Sequence, residues 1–202
     1  DVELAKEVAE RLDVEITFQP IDWAMKETEL ASGNIDMIWN GYTITEERKE
    51  KVLFSEPYLS NSQIIVTMAD SDIETKADLA GKVVATQQGS AAFDAIIADE
   101  TGIAAEFDGG TPILYPTFND VFNDLESGRS DAIVVDEVLG RYTMKLKGEE
   151  KFAVLTDNFG DEEYGVGLRK EDVALKEAID ATMNDMREDG TYDEIYAKWF
   201  AE

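Results

Sequence analysis

At 202 residues, with 44% apolar residues and no run approaching a membrane span, the chain can bury the core of one large domain or of two small lobes. Eighteen Lys and Arg against 45 Asp and Glu give a net charge of −27, which argues against nucleic acid and against adhesion to anionic lipid, since both need a basic face. Neither cysteine nor histidine occurs, so disulfides, thiol nucleophiles, histidine bases and zinc sites of the His or Cys type are excluded. No EF-hand spacing appears, and no cofactor or metal is expected.

The sequence opens inside what reads as a helix, with Val2, Leu4, Ala5, Val8 and Leu12 on one face. Residues upstream, including any export signal, are therefore expected to be lost. Val14 to Phe18 reads as a strand, Trp23 to Ala31 as a helix closed by Ser32-Gly33, Ile35 to Asn40 as a strand, and Glu46 to Lys51 as a short helix. Gln63 to Met68 is an apolar strand. A second unit follows: Ala77 to Leu79, strand Lys82 to Thr86, a glycine turn and helix Ala91 to Asp99. Strand Ile113 to Tyr115, helix Phe118 to Glu126, strand Ala132 to Val135 and helix Leu139 to Lys147 continue it. Strand Tyr164 to Leu168 returns the chain, and helices Ala174 to Glu188 and Tyr192 to Phe200 end it. Such alternation implies an α/β architecture with largely parallel sheets.

An internal echo runs through this pattern. Leu30 to Asn40 parallels Leu125 to Asp136: each is a helix end, a Ser-Gly turn, an aspartate, and a buried strand with a polar residue at its carboxyl end. Ligands of open α/β sheets bind outside the carboxyl ends of strands, which draws attention to Asn40 and Asp136. Generic Ser-Gly turns between helices and strands would give the same look.

Three places carry chemistry. After the apolar Met37-Ile38-Trp39, two threonines and Arg48 follow a turn at Gly41. Thr45 reads as a helix N-cap, and hydroxyls, free backbone N–H groups and a guanidinium fork together suit a carboxylate. The alternative is a capped surface helix whose Arg48 pairs with Glu46 or Glu47. Gln87-Gln88-Gly89-Ser90-Ala91 is a second candidate anion site, where a strand meets a glycine turn and a helix N-terminus; a purely structural turn reads the same way. Asp136 ends a buried strand, where an unanswered carboxylate is costly, so a cation is expected to meet it unless it caps the next helix. No close pair of carboxylates is evident.

The stretch Gly41-Tyr42-Thr43-Ile44-Thr45-Glu46-Glu47-Arg48 with Phe54-Ser55-Glu56-Pro57-Tyr58 resembles the G-x-T-x-T-x-E-R…F-S-x-P-Y signature of the bacterial family 3 extracellular solute-binding proteins, the amino-acid-binding components of polar amino acid ABC transporters. Asp78-Leu79-Ala80-Gly81-Lys82-Val83-Val84-Ala85 and Asp189-Gly190-Thr191-Tyr192…Lys198-Trp199-Phe200 resemble two further family segments. The likeness thus covers essentially the whole chain.

The resemblance implies a two-lobed, type II periplasmic-binding-protein-like fold, each lobe a mostly parallel sheet flanked by helices. Lobe 1 is expected at residues 1–58 and 165–202, lobe 2 at 63–159, with hinge strands at 58–62 and 160–164. The family begins with a strand and an aromatic-bearing loop that this sequence lacks. The implied function is an exported receptor of an ABC importer, periplasmic or at the cell surface, either free or lipid-anchored through an absent segment. It would bind a polar L-amino acid between lobes that close on it, and deliver it to a membrane permease without inserting in the membrane itself.

Arg48, Thr43 and the backbone near Gly41 would then take the ligand carboxylate with help from Ser90. Asp136 would take the ammonium, and Trp23 would pack on the side chain unless it fills the core. Asn40, and less so Gln87, would read a polar side chain. Glutamine-like ligands are favoured over cystine or a basic amino acid. The rival functions are a ligand-sensing module of a signalling receptor and a small-acid dehydratase or lyase on the same fold.

Overall fold

A computed structural model describes residues 1–200. In chain order its first elements are α1 (Val2–Arg11), a 3₁₀ turn (Trp23–Met25), α2 (Lys26–Ala31), α3 (Glu46–Lys51), β1 (Leu53–Phe54) and β2 (Leu59–Met68). Next come a 3₁₀ turn (Lys76–Leu79), β3 (Val84–Gln87), α4 (Ala91–Ala98), a 3₁₀ turn (Ile103–Glu106), β4 (Ile113–Tyr115), α5 (Phe118–Glu126), β5 (Ala132–Asp136) and α6 (Glu137–Lys147). A 3₁₀ turn (Glu149–Lys151), β6 (Phe152–Tyr164), β7 (Gly167–Leu168), α7 (Val173–Glu188) and α8 (Thr191–Phe200) follow. The chain divides into two compact units: Asp1–Ile21, Met25–Ser60 and Glu163–Glu202 form unit 1, and Asp22–Ala24 with Asn61–Glu162 form unit 2.

Unit 2 is built on the sheet β4-β3-β5-β2-β6. Helices α4 and α5 carry the chain from β3 to β4 and from β4 to β5, which makes β3 parallel to both, while β2 runs antiparallel to β5. Side chains alternate across the sheet. Ile65, Val84, Ala132 and Val134 pack with Ile96 of α4 on one face, and Ile64, Val66, Ala85, Ile133 and Val135 pack with Phe122 and Leu125 of α5 on the other. Burial on both faces explains the continuous apolar runs of β2 and β5.

In unit 1, α1 turns Leu4, Ala5, Val8 and Ala9 inward and packs against α7, which buries Ile179, Met183 and Met186. Arg11 ties the two ends of this unit together, donating to Asp189 at 2.7 Å and to Thr191 at 2.9 Å. Among the described residues the sheet here is β1 paired antiparallel with β7, not the mostly parallel sheet expected of lobe 1.

Two expected strands are absent. Val14 to Phe18 pairs with no strand among the described residues, and Val14 and Phe18 are 58% and 47% exposed, so neither ladder bonds nor a buried face hold it as a strand. Ile35 to Asn40 is reduced to a single antiparallel bridge, Ile38 with Gly167. The N–H groups of Asn34 and Ile35 instead turn back onto the Glu29 carbonyl. Conversely, of the thirteen-residue β6 only the carboxyl end, residues 160–164, is expected as a strand; its first part buries Phe152, Leu155 and Phe159 at uneven spacing among exposed polar residues, without the alternation that marks a strand.

Both Ser-Gly turns of the internal echo have the same local bonds. Gly33 (φ +74°) donates to the Leu30 carbonyl and Gly128 (φ +71°) to that of Leu125, while Asn34 and Arg129 reach back to Glu29 and Asp124. These are Schellman-type helix ends, for which a left-handed glycine is the favoured residue.

Candidate functional site

In unit 1 the candidate groups converge on the start of α3. The Thr45 hydroxyl accepts from the Arg48 backbone N–H at 3.1 Å, which is the expected cap. Arg48 itself is not a surface residue: it is 4% exposed, and its Nη1 donates to the Thr43 carbonyl at 3.0 Å. Glu46 and Glu47, the surface partners it might have taken, are held instead by Lys49 and Lys51, each at 2.7 Å. The Lys51 bond is also the first cause holding the Glu47 carboxyl below the usual range.

Thr43 is buried and bridges Tyr164 in an isolated antiparallel pair. Gly41 has φ +58°, a conformation that favours glycine, and a Cβ there would make a tight 3.2 Å contact with the Tyr164 ring. Asn40 is exposed beside it.

Three residues that sequence reasoning missed, Tyr42, Glu27 and Lys26, complete this cluster. Tyr42 is fully buried beneath Arg48, whose guanidinium carbon lies 4.7 Å from the ring centroid. Its hydroxyl donates to Glu27 Oε1 at 2.9 Å, and the same oxygen lies 3.4 Å from the buried Lys26 ammonium. Burial, then the Glu27 charge, pushes the Tyr42 phenol far up, so it stays a donor. An aromatic inside the signature and a lysine on an otherwise apolar helix face were the available signals.

In unit 2, Ser90 caps α4: its Oγ accepts from the Phe93 N–H at 3.2 Å and donates to the Gln87 carbonyl at 2.7 Å. Gly89 has φ +68° and permits the turn. Gln87 donates its side-chain amide to the Pro116 carbonyl at 2.9 Å. Trp23 belongs by contacts to unit 2, whereas lobe 1 was expected; it is half-buried in its 3₁₀ turn and so does not fill a core.

Asp136 precedes α6 but makes no side-chain cap to it. The capping acceptor for α6 is Asn61 Oδ1, which takes the Val138 N–H at 3.2 Å. Asp136 Oδ1 accepts from Asn61 Nδ2 at 3.2 Å and from Gln63 Nε2 at 2.8 Å. These two neutral amide donors hold the Asp136 carboxylate in place. The same two nitrogens donate to Glu162 Oε1 at 2.7 and 2.8 Å, so two carboxylates do lie close together, contrary to expectation. The β2–β5 register places Gln63 opposite Asp136, and only strand pairing could reveal it. Gln63 is 1% exposed and its Oε1 has no partner.

A separate cavity of about 500 Å³ in unit 2 is lined by Lys76, Thr101, Glu106 and Asp157 among others, and by none of the candidate residues. Among the described residues no group of three or more Asp or Glu is placed to hold a metal ion, and no helix is long and apolar enough to cross a membrane.

The sequence profile of the bacterial extracellular solute-binding proteins, family 3, matches residues 1–202. The L-cystine-binding protein TcyJ of Escherichia coli K12 is 33% identical over 202 residues, covering 99% of this chain and 73% of that protein. Among solved structures, an ABC uptake transporter substrate-binding protein from Streptococcus pneumoniae with bound histidine superposes with a TM-score of 0.96 at 37% identity, over 100% of this chain and 82% of the other. An ancestral arginine-binding protein bound to glutamine follows with 0.90 at 37% identity, over 100% and 87%.

Proposed function

Because the chain belongs to the bacterial extracellular solute-binding proteins of family 3, with their type II periplasmic-binding-protein fold, we propose that it is the amino-acid receptor of an ABC importer. It works outside the cytoplasm, binds a free polar L-amino acid without chemistry, and presents it to a membrane permease. The relatives are binding proteins, and their named ligands include cystine, histidine and glutamine.

The observation that carries this reading is the buried Arg48. Its guanidinium is held at the start of α3, with Nη1 donating to the Thr43 carbonyl at 3.0 Å, and a fork fixed beside a threonine and a helix N-terminus suits a carboxylate. The ligand carboxylate is read as the group it takes. Arg48, Thr43 and Gly41 of unit 1 take it, with Ser90 of unit 2 assisting. Asp136, steadied by Asn61 and Gln63, takes the ammonium. Trp23, Asn40 and Gln87 contact the side chain, with a glutamine-like ligand ahead of cystine and basic amino acids. Residues 58–62 and 160–164 act as the hinge, and ligand binding shifts its equilibrium toward closure.

Isothermal titration calorimetry against the twenty L-amino acids plus cystine and ornithine tests this. Micromolar or tighter binding of one polar amino acid is expected. A folded protein that binds none of them overturns the proposal.

A further inference from the structure

Arg48 is supported from beneath by a column of side chains. Tyr42 is clamped on its own account: its ring lies 5.0 Å from that of Phe54 at an interplanar angle of 28°. On another side it presses on Gly167, where a Cβ would come within 2.7 Å of Tyr42 Cε1. The ring therefore has one position available, and only a glycine on β7 leaves room for it. Its hydroxyl end is fixed by Glu27, which in turn lies against Lys26. Its face lies under the Arg48 guanidinium at 4.7 Å.

A phenol that donates to a carboxylate gains electron density in its ring, and a more negative ring face attracts a cation more strongly. The carboxylate and the guanidinium thus act on each other through the ring without touching. A guanidinium fork binds a carboxylate in two bonds only when its plane is correctly set, so what fixes that plane governs affinity.

We propose that Tyr42 and Glu27 are positioning residues that hold the Arg48 guanidinium in the plane needed to clamp the ligand carboxylate. This rests on the reading of Arg48 as the clamp, and adds a device acting through Arg48 from residues that themselves need not touch ligand.

Two readouts keep the two claims apart. In ligand-free protein, the ¹H–¹⁵N resonance of the Arg48 Nε–H, identified by its loss in Arg48→Lys, reports the ring beneath it. It should be displaced by the ring current in the wild type, keep most of that displacement in Tyr42→Phe, and lose it in Tyr42→Leu. The second readout is calorimetric titration with L-glutamine, L-histidine, L-arginine and L-cystine, each beside its α-carboxamide. Tyr42→Leu should weaken the amino acid that binds by roughly ten-fold, about 1.4 kcal/mol, and Glu27→Gln by a few-fold, with little change for the carboxamide.

If Tyr42→Leu fails to fold, Tyr42→Phe and Glu27→Gln still decide the matter, since each should weaken the amino acid selectively. An Arg48 resonance that a folded Tyr42→Leu leaves where it is in the wild type, or a loss equal for amino acid and carboxamide, overturns the positioning role. If the wild type binds none of the four amino acids, the clamp reading loses its support, while the resonance still decides whether Tyr42 orients Arg48.

Discussion

Asp136→Asn separates the charge of Asp136 from its place in the fold. The side-chain shape is unchanged, and Asn Oδ1 still accepts the Asn61 and Gln63 amide donors that reach Asp136 Oδ1 at 3.2 and 2.8 Å. No helix cap is lost, because Asn61 rather than Asp136 receives the Val138 N–H in the first turn of α6. Stability should therefore shift by no more than about 1 kcal/mol. Asp136→Ala instead removes an acceptor from the buried Gln63 amide, which costs roughly 1–3 kcal/mol less whatever Glu162 retains. Ligand binding should respond differently. A hydrogen bond between a carboxylate and an ammonium is worth about 1.5–3 kcal/mol net, so Asp136→Asn should weaken the bound amino acid roughly ten- to hundred-fold. The assay is calorimetric titration of both proteins, with urea unfolding as the fold control. Its comparison ligand is the α-hydroxy acid analogue, which lacks the ammonium and should be affected far less. A folded Asp136→Asn protein with wild-type affinity, or an equal loss for the α-hydroxy acid, refutes the assignment.

Arg48→Ala should lower ligand affinity by about 2–5 kcal/mol, mostly through the stranded ligand carboxylate, and calorimetry that finds it unchanged refutes the clamp. Gly167→Ala drives a methyl to 2.7 Å from Tyr42 and should cost about 1–3 kcal/mol in urea unfolding, whereas the same change at the open Gly190 strains only a positive φ. Thr45→Ala removes the α3 cap and should destabilise by about 1 kcal/mol. The hydrogen bond from Arg11, then that from Thr191, holds the Asp189 carboxyl well below its usual range. A depressed folded-state value contributes stability above the ordinary carboxylate pKa, about 3.9, and loses it as pH falls further. Thermal unfolding followed downward from about pH 5 should accordingly fall less steeply in Asp189→Asn than in the wild type.

The sequence by itself determined what is local. The Thr45 cap, helix α3, the glycine turn before Ser90 and the paired Ser-Gly helix ends each rest on bonds among residues a few positions apart, and each is where short-range chemistry puts it. The continuous apolar runs of β2 and β5 were likewise legible, because strands buried on both faces leave no other pattern. Tertiary structure decided the rest. Two segments with similar patterns, following identical turns, ended as a five-residue central strand at Ala132–Asp136 and as a lone bridge at Ile38. A strand exists only where another backbone pairs with it, and that partner is not written in the segment itself. The same holds for the candidate site. Arg48, Thr43 and Asp136 stood out as types, but Tyr42 beneath Arg48, and Gln63 and Glu162 beside Asp136, are neighbours created by packing and register between residues 6 to 99 positions apart. Sequence distance carries no trace of such contacts, because the burial and hydrogen bonding that reward them arise only once the fold has closed.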